Sequence, residues 1–442
     1  MIDVPLFPRA SVAAAMVVAM AGCGPLQADN EAEIAWEPPV TVATGNAYRG
    51  SWRMNESEFL YVDDPAVALA GDDSAVAWVD NEARDVFFNR YDGDGKPVFD
   101  DPVDVSGSPD TFSWLPRVTT LNGGDEVIVA WQEIAFTGGS HGGEIHVARS
   151  TDGGRSFADP VNLSETTAGA GKGRFNEQRW DNGSLALAAD DNGRVYVAWT
   201  EYEGALRLAV STDRGETFSA PIHVAGDDDN PVRAPDLAVG ADRLWLAWVE
   251  SGSAGGSLSL AGFDPEDRSL SSPDQPFGEE MLVDAPKLAV DQDDRLHLAF
   301  TVGGPFRESS VAHARGSAET LSFDEPVTLS GAGGPTPAAY PQLAVAGDYV
   351  VVIWEALSGA GQHPDRIGQA VSTVGGEHFS GPDEVETDRL PGSARSGGNQ
   401  GLLFDKLTVD DAGRVLLGHA VWLEDEDETR IELLRGRIDR GE

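Results

Sequence analysis

The chain alternates apolar and polar residues in short runs, and the clearest example lies between Arg194 and Ala225. Two runs there, Val195–Thr200 and Ala205–Val210, have the period-two pattern of half-buried β-strands, and a third run follows at Ile222–Ala225. The loop between the second and third runs, Ser211–Phe218, is rich in Ser, Thr, Asp and Gly, which close tight turns. The pattern predicts one antiparallel sheet unit.

Two markers of this unit recur along the chain. The first is an aromatic or apolar residue, two variable residues, Pro and a short strand; its copies begin at Trp36, Phe99, Phe157, Phe218, Leu270, Phe323 and Phe379. The second is a hairpin that ends in Ala-Trp or a related pair; its copies end at Trp78, Trp131, Trp199, Trp248, Phe300, Trp354 and Trp422. A period of roughly 50 to 60 residues is typical of a propeller or a solenoid.

The two ends of the repeat array complement each other. The first marker appears at Trp36 with no hairpin before it, whereas the hairpin ending near Trp422 is followed by only one more strand. We therefore predict that the strand around Pro39–Ala43 is the outer strand of a last blade whose other three strands are C-terminal. This closure removes open sheet edges. The expected fold class is all-β, a seven-bladed β-propeller of four-stranded antiparallel blades over residues 34–442, with six blades as the alternative.

The N-terminal segment has the features of a lipoprotein leader. Ala10–Ala21 is an apolar run too short to span a bilayer and of the length expected for a signal-peptide core. It ends in Met20-Ala21-Gly22-Cys23, which resembles the lipobox of bacterial lipoproteins. We predict a signal peptide over residues 1–22, lipidation of Cys23 and a flexible tether over residues 23–33. The protein would then be a cell-envelope lipoprotein of the outer membrane, on either its periplasmic or its surface side.

The charge of the chain excludes one class of partner. Asp and Glu number 74 against 31 Lys and Arg, which gives a net charge of −43. Such a protein repels nucleic-acid phosphates and anionic lipid headgroups, so we expect no nucleic-acid partner and membrane contact through the lipid anchor only. The acidity fits either a solvated surface or a cation-attracting face. With a single cysteine, neither a disulfide framework nor a cysteine-rich metal site is possible.

Two of the predicted turns resemble a known repeat. Ser150–Phe157 and Ser211–Phe218 read Ser-Thr-Asp, Gly, then Ser or Thr and Phe, and Ser372–Phe379 is a copy with Val374 in place of the Asp. They resemble the Asp box, or bacterial neuraminidase (BNR) repeat, of the sialidase-like propeller superfamily. In that superfamily the box is a structural turn between the two outer strands of a blade, and it occurs in sialidases, endoglucanases and non-enzymatic receptors alike.

In a propeller, the connections that enter an innermost strand and those that leave a second strand open on one face around the axis, called the ligand face below. A resemblance to sialidases implies an arginine triad, a Tyr–Glu nucleophile pair and an acidic Asp there. The candidates by residue type are Arg117, Arg179 and Arg233 for the triad, Tyr340 with Glu355 for the pair, and Asp63 or Asp64 for the acid. The Phe- or Tyr-Arg-Ile-Pro motif of that family is absent from the chain.

Other candidates on the ligand face are binding residues. The Trp that ends each second strand recurs with the repeat and is expected to pack between blades, whereas Trp114 and Trp180 fall outside that register and are predicted ligand contacts. Glu201 and Tyr202 mark the point where a second strand reaches the face. No spacing gives a metal-ligand set as specific as a calcium loop, so no metal-ligating residue and no cofactor are assigned, and a cation held on the axis by the acidic ring stays an open alternative.

Two functions are compatible with these features. The first is a lipid-anchored, monomeric binding module for a glycan or an envelope protein. The alternative is an exo-acting glycoside hydrolase of the sialidase type. The first is preferred because the structural motifs of the superfamily are kept while its catalytic motif is missing.

Overall fold

A computed structural model describes residues 32–51, 53, 56–108, 110–134, 143–166, 169–176, 179–252, 255–303, 309–330, 337–356, 366–385, 395–396, 405–423 and 426–441. For residues 176, 179–181, 252, 255 and 395–396 only the backbone is described. The predicted signal peptide, Cys23 and most of the tether lie outside these ranges. Within them, no helix combines the length and the apolar character needed to cross a bilayer.

Seven four-stranded antiparallel blades form a β-propeller, as the period-two runs and their spacing predict. Blade 1 contains the strands Val62–Ala70, Asp73–Asp80, Asp85–Tyr91 and Val103–Asp104. Blade 2 contains Ser113–Leu121, Glu126–Glu133, Glu144–Ser150 and Val161–Asn162. Blade 3 contains Leu185–Ala189, Val195–Thr200, Leu206–Ser211 and Ile222–Ala225. Blade 4 contains Val232–Val239, Leu244–Gly252, Gly255–Asp264 and Ser269–Leu270. Blade 5 contains Val283–Val290, Arg295–Val302, Ser310–Ser317 and Val327–Thr328. Blade 6 contains Ala338–Ala346, Tyr349–Ala356, Arg366–Ser372 and Ser380–Glu384.

Blade 7 is built from both ends of the propeller. Its inner three strands are Leu407–Val409, Arg414–Leu423 and Glu428–Asp439, and its outer position is filled by Glu33–Trp36 and Val40–Asn46. Ile34 pairs with Ile438, and Val40 pairs with Leu433. The predicted closure is confirmed, and the six-bladed alternative is wrong. The remaining elements are a hairpin of Lys172–Asn176 and Arg179–Asn182, a short strand Arg395–Ser396, and a 3₁₀ turn at Asn122–Gly124.

The apolar cores lie between neighbouring blades. Trp248 of blade 4, for example, packs in one cluster with Tyr196 and Leu206 of blade 3. The residues that end the second strands are buried, with Trp131, Trp199, Trp248 and Phe300 all fully inaccessible. The expectation that this repeated position packs between blades is confirmed for them. Trp422 of blade 7 differs, because it stays partly exposed.

The turns between third and fourth strands are closed by their own side chains. In Ser150–Phe157, the Ser150 hydroxyl accepts the amide hydrogen of Gly154 at 2.9 Å, and Asp152 accepts the amide hydrogen of Ser156 at 2.9 Å. Ser211–Phe218 repeats both bonds through Ser211 and Asp213. These hydrogen bonds hold the Asp152 and Asp213 carboxylates in the turn, away from the axis.

Five inner strands share a backbone irregularity next to a proline. The residue before each proline has a left-handed φ and the strand register shifts there; these residues are Asp64, Leu115, Ala234, Ala285 and Tyr340. A bulge of this kind re-aims the side chains that follow it. Because the feature recurs in five blades, it belongs to the propeller framework and does not by itself mark a site.

Candidate functional site

A network of buried charges connects the inner strands. Lys287 Nζ of blade 5 lies 3.0 Å from the carboxylate of Asp236 in blade 4 and 3.0 Å from that of Asp405, next to the inner strand of blade 7. Arg117 Nε of blade 2 lies 3.5 Å from Asp405. Since these blades are not all neighbours, the contacts reach across the propeller axis. We call these four residues the axial ion network.

Arg117 was predicted to contact a ligand, and the structure places it in this network. Its guanidinium group donates to the carbonyl oxygen of Leu185 at 2.9 Å and to that of Gly183 at 3.0 Å, and the residue is 1% exposed. Burial lowers the pKa of Arg117, although Asp405 opposes the shift. The hydrogen bonds that the Arg117 guanidinium group donates to these backbone carbonyl groups therefore stabilise the propeller framework.

Arg233, the second predicted arginine, is also buried, at 3% exposed. Its guanidinium group pairs with the Asp284 carboxylate of blade 5 and lies over the Phe175 ring, 4.5 Å from the centroid. Phe175 belongs to the inserted hairpin, which is also held to blade 4 by a bond from Ser251 Oγ to the Arg174 carbonyl oxygen. Arg233 thus anchors the hairpin. Arg179 and Trp180 lie in its second strand, with side chains outside the described residues.

Asp63 and Asp64 lie at the start of the blade 1 inner strand, and both are buried. Burial, together with the Asp63 carboxylate, raises the pKa of Asp64 well above its usual value, while Lys406 and Arg117 oppose the shift. Asp64 Oδ1 has no hydrogen-bond partner among the described residues. A carboxyl group in this setting favours its protonated form.

Tyr340 and Glu355 lie on the paired first and second strands of blade 6. The strand partner of Glu355 is Ala339, and Tyr340 follows it within the register shift between Ala339 and Gln342. Glu355 is 1% exposed, and Tyr340 is half-buried. Glu355 interacts electrostatically with Lys406, which also interacts with Asp63 and Asp64. The structure therefore groups three of the four predicted catalytic candidates, Asp63, Asp64 and Glu355, around one buried lysine.

Glu201 and Tyr202 lie at the ligand-face end of blade 3. Arg207 donates to Glu201 at 3.0 Å, and the Lys172 ammonium lies 5.5 Å from the centroid of the Tyr202 ring. Burial raises the pKa of Tyr202 and lowers that of Lys172. The contact with Tyr202 fastens Lys172, the first residue of the inserted hairpin, to blade 3.

An aromatic cluster lies on the ligand face where blades 7, 1 and 2 meet, and we call it the aromatic platform. Its members are Phe59, Tyr61, Phe112, Trp114 and Trp422. Ring centroids are 5.5 Å apart for Phe112 and Trp114 and 5.3 Å apart for Tyr61 and Trp422. Phe59, Tyr61 and Phe112 are buried beneath the two tryptophans, each of which is partly exposed.

The Trp114 ring is held in one orientation by blade 1. Its Nε1 atom donates to Asn81 Oδ1 at 3.0 Å, and Asn81 in turn donates to the Tyr61 carbonyl oxygen at 2.9 Å. Arg84 lies over the Phe112 ring, 5.1 Å from the centroid. A fixed, partly exposed indole supported by other rings offers a ready contact surface for an apolar face of a ligand.

Of the five platform residues, only Trp114 was predicted from the sequence as a ligand contact. Trp422 ends a second strand, and that register predicts burial between blades; Phe59, Tyr61 and Phe112 lie in connections, where no periodicity applies. One signal was available, since these connections enter inner strands and each carries aromatic residues. No three His, Cys, Asp or Glu side chains of the described ranges converge in a way that could hold a metal ion.

The fold is similar to that of carbohydrate-active propellers. A polysaccharide lyase of family PL25, an ulvan lyase bound to -[GlcA(1-4)Rha3S]-, is 12% identical over 89% of this chain and 95% of its own, with a TM-score of 0.55. The polysaccharide lyase Uly1 is 13% identical over 92% and 100%, with a TM-score of 0.54. A Hadza microbial sialidase is 13% identical over 67% and 63%, with a TM-score of 0.44. Neither a protein-family model nor a curated protein sequence matches the chain.

Proposed function

We propose that this propeller is a glycan-binding module whose contact surface is the aromatic platform. The observation that carries the proposal is the Trp114 ring, which is partly exposed, supported by buried rings and oriented by Asn81. Sugar rings present faces of C–H groups that pack on aromatic rings, while their hydroxyl groups need water or polar partners at the edge. The likeness in fold to polysaccharide lyases supports a carbohydrate ligand.

The charge of the protein restricts the class of glycan. At a net charge of −43, a polyanionic chain of sulfated or uronic acid units would be repelled over the whole surface. The described side chains of Arg117 and Arg233, which could have held a carboxylate, donate to protein groups. A glycan without acidic groups is therefore the ligand of this proposal.

The location of the protein in the cell envelope remains a prediction from the sequence. Lipidation of Cys23 would fix the propeller to the cell envelope through the tether, leaving the ligand face accessible to the polysaccharides there. Mass spectrometry of the mature N-terminus tests the anchor, and a Cys23→Ala variant is expected to appear in the soluble fraction.

The binding experiment compares platform and control tryptophans. Affinity electrophoresis through gels of neutral polysaccharides would show retardation of the intact protein. Trp114→Ala and Trp422→Ala are expected to weaken binding about tenfold or more, as for partly buried aromatic anchors. Trp36→Ala is the matched control, because Trp36 is also partly exposed and also donates from Nε1, at 2.9 Å to Gln369, but lies in the outer strand of blade 7. Equal retention of all three variants would contradict the platform site. If the intact protein bound no glycan, an envelope-protein partner would be favoured instead.

A second candidate function is exo-acting glycoside hydrolysis of the sialidase type, and one observation favours it. The raised pKa of the Asp64 carboxyl is the property that a general acid needs near neutral pH. The test is turnover of aryl sialosides and neutral aryl glycosides by the intact protein and by Asp64→Asn. Hydrolysis that Asp64→Asn abolishes would support this candidate, and no hydrolysis of either substrate class by the intact protein would reject it for those substrates.

A further inference from the structure

The segments that carry the aromatic platform are acidic. Their described residues include eight carboxylates that are exposed or half-buried: Glu56, Glu58, Asp80, Glu82, Asp110, Glu426, Asp427 and Glu428. The same segments contain four arginines: Arg49, Arg53, Arg84 and Arg430. Carboxylates therefore outnumber cations eight to four around the platform, and 74 to 31 over the whole chain.

Arg84 and Arg430 both have contacts close to the platform. Arg430 Nη2 donates to Glu426 at 3.3 Å, and its Nε atom pairs with Glu428. The Arg84 guanidinium lies over the Phe112 ring. By contrast, Glu82 and Asp110 are exposed, and each lies within two residues of a platform contact, Asn81 for Glu82 and Phe112 for Asp110.

We infer that the platform binds a cationic glycan, a polymer of hexosamine units whose amino groups are free. Such a polymer keeps the C–H face that packs on Trp114 and Trp422, and it adds ammonium groups that the acidic segments around the platform attract. An ammonium group also gains from the faces of neighbouring aromatic rings. A neutral glycan can make only the contact between its C–H face and the tryptophan rings. A polyanionic glycan is repelled by the negative charge of the protein. This inference rests on the proposed glycan-binding function and specifies its ligand.

The test uses three oligosaccharides of the same length and β-1,4 linkage, built from glucose, N-acetylglucosamine or glucosamine. Binding to the intact protein is measured by calorimetry at about pH 6. We expect the glucosamine oligomer to bind about tenfold more tightly than the other two at low salt, and this preference to shrink as salt is raised. Equal affinities for all three would overturn the inference and leave the proposed function standing. Binding of none would reject the proposed function itself.

Charge variants locate the contact. Glu82→Gln combined with Asp110→Asn is expected to remove most of the preference for the glucosamine oligomer over the glucose oligomer. The control is Glu216→Gln, which removes an exposed carboxylate from the turn Ser211–Phe218 at the outer edge of blade 3. If the control lowered the preference as much as the double variant does, the preference would come from overall charge and the inferred contact would be wrong.

Discussion

The Nζ atom of Lys287 lies 3.0 Å from the Oδ1 atom of Asp405. Lys287 belongs to the inner strand of blade 5 and Asp405 lies just before the inner strand of blade 7, so this ion pair bypasses blade 6 and reaches across the axis. The Asp236 carboxylate accepts a second bond from the same ammonium group, and its other oxygen accepts the amide hydrogen of Leu288 at 2.7 Å. The ring is therefore held together at its centre as well as at its closing blade.

Lys287→Met tests the contribution of this centre to stability. The substitution keeps most of the side-chain volume but leaves two carboxylates without their shared cation. Breaking a buried pair from one side costs about 3 kcal/mol or more of the free energy of unfolding. Urea unfolding should show the loss. Lys96→Met, which removes an exposed lysine paired with Asp94, is the control and should leave the unfolding midpoint unchanged. Equal midpoints for all three proteins would contradict the prediction.

His419 makes stability depend on pH. Burial, with the nearby charge of Lys406, lowers the pKa of His419 to about 3. In the unfolded chain a histidine has a pKa of about 6.5, so as the pH falls the unfolded state takes up this proton first. The contribution of neutral His419 is complete above about pH 6.5 and is lost progressively as the pH falls toward about 3.

The measurement compares the native protein with His419→Gln. Between about pH 6.5 and pH 5, the native protein should lose about 2 kcal/mol of unfolding free energy that the variant does not lose. His223→Gln, which removes an exposed histidine, controls for loss of an imidazole. Parallel pH curves for the native protein and His419→Gln would show that the group does not titrate in this way.

A cross-link over the closing strands should stabilise the propeller strongly. Ala35, on the outer strand Glu33–Trp36 of blade 7, is directly opposed to Arg437 on the third strand, Glu428–Asp439, and both residues are exposed. A disulfide between cysteines at these positions, in a Cys23→Ser background, would close a loop that spans nearly the whole propeller. If the disulfide acts by lowering the entropy of the unfolded chain, it adds about 6 kcal/mol to the free energy of unfolding. A control disulfide between the opposed positions Asp264 and Ser269 of one blade closes a short loop and adds about 2 kcal/mol. Thermal unfolding with and without reductant measures both; equal gains would contradict the account.

Gly154 fastens a turn to the neighbouring blade. It has φ of 89°, and a Cβ atom there would collide with the Phe88 ring of blade 1. Gly278 has φ of 69° and open space around it, so Gly278→Ala measures the backbone cost alone, about 1 kcal/mol. Gly154→Ala should cost a further 1–3 kcal/mol or so from overpacking. If both variants lost the same unfolding free energy, the packing of the turn on Phe88 would be unimportant.

The blades were predictable because their determinants are local. Period-two runs, hairpin turns and the repeat of Pro39 and its equivalents lie within a few dozen residues of one another, and blade closure follows from counting strands. Arg117 shows where that reasoning ends. Its residue type and place before an inner strand suggest a ligand contact, yet its partners include Asp405, far away in the chain, and no pattern in the sequence pairs the two.

The platform shows a second limit. Trp422 occupies a position that is buried in other blades, and only the rings brought beside it from other segments explain its exposure. Tyr61 lies in a connection before blade 1, and its contact with Trp422 depends on the closure of the ring. Contacts between blades 7 and 1 come from opposite ends of the propeller, so they become visible only once the fold is known.

The closure of blade 7 also determines the order in which the blades can be completed. Blades 1 to 6 each consist of one contiguous stretch, so each can form once its last strand has emerged from the ribosome or, for an exported chain, from the translocation channel. The strand Val40–Asn46 is made before all of them, but its partner, Glu428–Asp439, is made after them. During that interval the early strand has no native partner, and a nascent chain that stops before blade 7 keeps a gap in the ring. A chaperone that recognises an unpaired strand could therefore distinguish unfinished chains from finished ones.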